Sequence, residues 1–142
     1  MPERGHRFLP HTADIRIEAW APTREGCLAE AVTALTASFA DLTDVQPEYE
    51  LSTEFAFASD VDLLVSVLDE VIYLLDTRDA IPISAELAVA SHAAAAPVTC
   101  RLWLAGLARG TVTGPIPKAV TLHEIHFGPG GGRWSCAFTI DV

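Results

Sequence analysis

Apolar and polar residues alternate from position 14, with Ile15, Ile17 and Ala19 on one side of the chain and Asp14, Arg16 and Glu18 on the other. A period of two predicts a half-buried strand. After "APTREG", residues Leu28, Ala31, Leu35 and Phe39 recur at helical spacing through "TREGCLAEAVTALTASFA", with Thr23 placed to cap the helix and an end expected near "ADLTDV". Alternation returns over residues 49 to 57 through Tyr49, Leu51, Phe55 and Phe57. A second helix is predicted from Ser59 or Asp60 through "VDLLVSVLDEVIYLLD", with Val61, Leu64, Leu68, Ile72 and Leu75 as its core stripe. Its acids are ordered too: Asp62, Asp69 and Asp76 are seven apart and share one side, with Glu70 next to them.

Beyond Arg78 the period changes to two, and Ile83 to Val89, Val98 to Leu104, Lys118 to Phe127 and Trp134 to Val142 read as four strands. They are separated by "SHAAAAP", "AGLARGTVTGPIP" and "GPGGG". The alanine run at 93 to 96 is short and stops at Pro97, so it reads as a turn. "GPGGG" lacks the GxxxxGK[ST] pattern and does not lie between a strand and a helix, which makes it a hairpin tip and not a phosphate loop. The expected architecture is α+β: two long helices packed on a largely antiparallel sheet, in a single domain over residues 1–142 without repeat or linker.

Composition narrows the function classes. With 142 residues, half of them hydrophobic, the chain can bury a core large enough to fold without disulfides or a structural metal. A formal charge of -10, from 19 acidic and 9 basic residues, argues against gripping a phosphate backbone over a broad surface. It favours divalent cations or a basic protein partner. Cys27, Cys100 and Cys136 form no CxxC pair, so a thiolate zinc site has little support, and their odd number suits a reducing compartment. "MPERGHRF" leads straight into polar and turn residues, and no apolar run approaches membrane-spanning length. The expectation is a cytoplasmic protein with no membrane contact.

The candidate chemistry is cation binding, since no GxSxG, cysteine–histidine pair or dinucleotide fingerprint is present. His11 and Asp14 stand at a proline-guided turn into the first strand, where Asp14 either bonds the local backbone or ligates a cation with His11 nearby. The helical acids either form a solvated face or converge with groups from elsewhere, and Glu70, at the border of the apolar stripe, is the best placed for that. In "PKAVTLHEIHF", His123 and Glu124 point opposite ways unless a bulge intervenes, so HEIH is not the helical HExxH of a zinc protease. Lys118, the only lysine, is either solvent-facing or a partner for a carboxylate or phosphate. The last strand buries Trp134, Cys136, Phe138 and Ile140, and ends with Asp141 followed by Val142. Those adjacent oxygen groups suit a hard cation such as calcium or magnesium, unless the terminus simply frays.

"HTADIRIEAW", "LLVSVLDEVIYLLD", "PKAVTLHEIHF" and the closing "TIDV", in this order over essentially the whole length, resemble the archease family. The resemblance implies a small acidic protein that is not itself an enzyme. Such proteins assist the GTP-dependent, manganese-using RNA-splicing ligase that joins 2′,3′-cyclic-phosphate or 3′-phosphate ends to 5′-hydroxyl ends. They promote the ligase's guanylylated-histidine intermediate and its multiple turnover, in tRNA splicing or RNA repair. GTP and manganese belong to the ligase. By the same resemblance, Asp14, Asp141 and Val142 hold a divalent cation, calcium first, with magnesium or manganese as alternatives, while His11, Glu70 and Lys118 shape the activating surface. Leu122 stands where the family suggests an aromatic residue. Two competing readings share the acidity: a metal-binding, chaperone-like module for another RNA-processing protein, and a metal-dependent phosphoryl hydrolase using Asp14, Glu70 and Asp141.

Overall fold

The alternating segment that begins at residue 14 forms strand β2 (Asp14–Ala21), in which Ile17, Ala19 and Ala21 are wholly buried. The computed structural model describes residues 3–10, 14–89, 91, 93 and 96–142, so His11 lies outside the described residues. On one side β2 pairs antiparallel with β1 (Gly5–Pro10). No strand is expected here from the sequence, since "GHRFLP" shows no sustained alternation. Its pairing comes from the edge that β2 offers. Gly5 fits there because it lies against Trp20: an added Cβ would stand 2.7 Å from the ring carbon Cζ2.

Helix α1 (Arg24–Ala37) is capped as expected, the Thr23 hydroxyl accepting from the Gly26 N–H at 3.0 Å. Leu28, Ala31 and Leu35 are buried, but so are Cys27, Ala29, Val32 and Ala34. The helix packs against strands of two sheets, so small residues line nearly its whole girth. Phe39 is buried as predicted, although it follows the helix and belongs to a smaller cluster with Ala40, Leu75 and Ile81. Strand β3 (Ala40–Asp41) comes next, then β4 (Tyr49–Phe55).

Helix α2 (Asp60–Arg78) shows the predicted stripe, with Leu64, Leu68, Ile72 and Leu75 buried and Asp62, Asp69 and Asp76 exposed. The Ser59 hydroxyl accepts from the Asp62 N–H, and the Asp62 carboxylate accepts from the Ala58 N–H, each at 3.1 Å. Its last turn closes on Asp79, which takes the left-handed conformation, φ 50°.

β5 (Ala80–Val89) and β6 (Val98–Gly106) complete a three-stranded antiparallel sheet ordered β4-β6-β5. β5 starts earlier than its alternation suggests, since Ile83 is an extra residue between the paired Pro82 and Ser84 and breaks the period there. A single turn of 3-10 helix at Leu107–Arg109 and the short strand β7 (Thr111–Val112), paired with β3, occupy the stretch read as a connection. β8 (Ala119–Gly130) and β9 (Arg133–Asp141) form the hairpin predicted around the glycine tip, with Gly131 and Gly132 at φ 63° and 77°. The four-stranded antiparallel sheet runs β1-β2-β9-β8, so the two central strands come from opposite ends of the sequence. Ile17, Ala19, Cys136, Phe138 and Ile140 share its inner face with the core between sheets and helices. No helix among the described residues is long and apolar enough to cross a membrane.

Candidate functional site

β2 and β9 pair without a slip from Asp14 opposite Asp141 to Ala21 opposite Trp134. Residues directly opposite in such a pair point to the same face, with Cβ atoms about 5 Å apart. Asp14 and Asp141 therefore place two carboxylates side by side on the outer face of the sheet, the face that Arg16, Glu18 and Trp20 also share. Like charges so placed destabilise a sheet, and a hard divalent cation reverses the sign of that interaction. Val142 follows Asp141 in the chain and packs against the core. An all-oxygen donor set of this kind fits calcium, magnesium or manganese and does not fit a thiophilic metal.

Lys118 joins this end of the sheet through its backbone, its N–H donating to the Asp141 carbonyl at 2.8 Å, while its side chain is exposed. Glu70 does not join it. Among the described residues no three His, Cys, Asp or Glu side chains form a metal-binding group, so Asp14, Glu70 and Asp141 do not make the three-carboxylate set that the hydrolase reading required. Glu70 is half-buried on α2, and its charge adds to burial in pushing the Cys100 thiol of β6 up to about 12. The Asp69 carboxyl, although exposed, is raised by the desolvation that neighbouring packed atoms impose on it. All three cysteines are free and buried.

Two features at this site were not read from the sequence. The first is Arg16, whose guanidinium donates to the Thr139 hydroxyl at 3.0 Å and to the Glu124 carbonyl at 2.8 Å. The second is the bulge that was named only as a condition for HEIH. Thr121 faces Thr139 and His126 faces Ala137, so residues 122 to 125 of β8 stand against Phe138 alone. Glu124 is at φ 53°, and its carboxylate lies 3.6 Å from the His123 imidazole. Arginine on a strand's polar face carries no signal of which carbonyl it will reach. At the other margin of the sheet, Glu30 of α1 is nearly buried and is met by Arg4 and by His6 of β1, tying the first strand to the helix.

The sequence from residue 6 to 142 matches the model of the Archease protein family (MTH1598/TM1083). A probable protein archease of Mycobacterium tuberculosis is 44% identical over 138 residues, which cover 97% of this chain and 75% of that one. A protein archease of Methanopyrus kandleri is 29% identical over 94% of this chain and 96% of its own. The solution structure of Methanobacterium thermoautotrophicum protein 1598 superposes with a TM-score of 0.77 at 22% identity, covering 97% of this chain and 99% of that one. The crystal structure of an archease, possible chaperone, from Thermotoga maritima gives 0.64 at 18% identity, covering 94% of both chains. At those identities the two structures speak for the fold, and the family match together with the mycobacterial relative makes the assignment: the chain belongs to the archease family.

Proposed function

We propose that this protein is a non-catalytic, cation-binding activator of a GTP-dependent RNA-splicing ligase. It promotes guanylylation of the ligase's histidine and repeated turnover, in tRNA splicing or RNA repair. The observation that carries the reading is the in-register pair Asp14 and Asp141 beside Val142, in a chain of the archease family. Asp14, Asp141 and the main-chain oxygens of Val142 would hold the cation, calcium first, with magnesium or manganese as alternatives. Bound there, the ion supplies positive charge that offsets the repulsion between the two carboxylates. This chain's own part is to fix the end of the sheet in one arrangement and to present it, with Lys118, as a surface for the ligase; Glu70, on α2 and outside this cluster, is assigned to the activating surface by the family resemblance alone. His11 is assigned to the same surface from the sequence alone. The protein works in the cytoplasm, where its three free thiols remain reduced.

The test is guanylylation of the cognate ligase with GTP and manganese, with substoichiometric wild type, Asp14→Asn or Asp141→Asn. Acceleration by wild type and its loss in both variants is the expected outcome. Equal acceleration by all three proteins excludes the cation pair, and none by wild type sinks the activator reading.

A further inference from the structure

The last turn of α1, the strand β3 and the bulged start of β5 enclose an open cleft of about 380 Å³. That is the size of a small-molecule site. Ala40, Leu42, Pro82 and the bulge residue Ile83 give it largely apolar walls. Two polar groups that line it differ in depth: Thr36 is 4% exposed, whereas Asp41 lies open to solvent.

A threonine inside a helix commonly returns its hydroxyl to the carbonyl four residues back. Thr33 does so to Ala29 at 3.2 Å, and Thr77 of α2 does so to Tyr73 at 2.7 Å. Thr36 does not: its hydroxyl is buried with no hydrogen-bond partner among the described residues, in the lining of the cleft. The fold gains nothing from burying an unpaired hydroxyl, and a valine would fill the same volume without that cost. Asp41 is only half committed. Its Oδ1 accepts from the Thr43 hydroxyl at 2.6 Å and from the Thr43 N–H at 2.9 Å, and these bonds hold the carboxyl below its ordinary value. Among the described residues no hydrogen bond or ion pair falls on Oδ2. No other titratable residue lines the cleft, and the last turn of α1, whose carbonyl end carries partial negative charge, has no basic residue.

We propose that this cleft binds a small amphipathic amine, with its ammonium on Asp41, its apolar body against Leu42 and Ile83, and a hydrogen-bonding tip at Thr36. Each part follows from the lining. A buried hydroxyl takes a polar group that enters first, apolar walls take hydrocarbon, and an ionised carboxylate open to solvent takes a cation. The same negative charge disfavours phosphates and carboxylates. The site shares no residue with the pair Asp14 and Asp141, so it goes beyond the proposed function and either can fail alone.

The test is titration of the full-length protein with three probes, followed by chemical-shift changes of its backbone amides. Tyramine has all three parts, phenethylamine lacks the hydroxyl, and 4-ethylphenol lacks the amine. The expected result is saturable binding of tyramine with a Kd of about 5 mM or tighter, and shifts centred on Thr36, Asp41 and Ile83. Thr36→Val should weaken tyramine about fivefold and leave phenethylamine unchanged. Asp41→Asn should weaken tyramine about threefold and leave 4-ethylphenol unchanged. In a thermal melt Thr36→Val should be at least as stable as wild type, because the hydroxyl it removes has no partner. A lower Tm for that variant would show that the hydroxyl serves the fold, and overturns the proposal. So does tyramine that fails to saturate, shifts centred elsewhere, or an affinity for tyramine that either variant leaves unmoved. Equal affinity for the three probes overturns it as well, since the cleft would then be an apolar hollow only.

Discussion

The two ends of the β2–β9 pair lie on one continuous ladder and treat charge in opposite ways. At the hairpin end the guanidinium groups of Arg7 and Arg133 lie over the Trp20 ring, at 5.4 and 5.1 Å from its centroid, and Arg7 also meets Glu18 at 3.0 Å. The cations there find a ring and a carboxylate within the chain, and the buried Trp20 indole N–H has no acceptor among the described residues. At the far end, Asp14 faces Asp141, acid against acid. Since the inner face is apolar along the whole ladder, the contrast cannot come from packing. One end sets cations against a ring and a carboxylate, and the other sets two carboxylates directly opposite each other.

The widest separation of the two ends should come from cation removal. Calcium at a hundredfold excess over its dissociation constant is expected to stabilise the wild type by about 2.7 kcal/mol. For a chain of this length that is roughly a 10 °C rise in Tm over a chelated sample. Asp141→Asn should abolish the rise, and an unchanged calcium shift in that variant would break the comparison.

The hairpin end should respond to crowding and not to cations. Gly5→Ala drives a methyl group into the Trp20 ring and is expected to cost about 1–3 kcal/mol in urea denaturation. Adding Trp20→Leu to Gly5→Ala should recover part of the loss, giving a non-additive cycle with the same calcium response as wild type. Strict additivity would show that the ring is not what the methyl group meets.

The smallest effect has the most informative sign. In chelator, Asp141→Asn removes one of two like charges directly opposite each other and should stabilise the protein by about 0.2–1 kcal/mol. The same substitution that removes the calcium response thus makes the metal-free protein more stable. A destabilised variant in chelator would mean that the carboxylate already serves the fold.

Where an element announced itself by local period, the sequence reading matched the structure. β2 and α2 carry their apolar residues at the spacings that a half-buried strand and an amphipathic helix require, and Thr23 and Ser59 cap the helices by chemistry visible within four residues. β1 was missed because its order comes from β2 and from the Glu30 contacts with Arg4 and His6. α1 was recognised, but its burial over most of its girth depends on two sheets whose placement no local pattern contains. Residue patterns alone make Asp14 and Asp141 separate candidates, and only the family resemblance joins them as ligands of one cation. That they face one another is a fact of register between strands far apart in the chain, whereas Glu70, equally acidic, lies on α2 and stays out of the cluster. The Arg16 bond to the Glu124 carbonyl is non-local in the same sense.

The strand order has a consequence for how the protein is made. β2 takes its central partner from β9, and the two are separated by both helices and the entire second sheet. During synthesis β1 and β2 can pair early, but one edge of β2 must wait until the ribosome has released β9. Closing a contact of such sequence separation is slow, and it comes late. The acidic pair is assembled by that same closure, so a nascent or truncated chain has no site to offer. Under the proposed function, cation capture and ligase recognition would then wait on the pairing of β9 with β2.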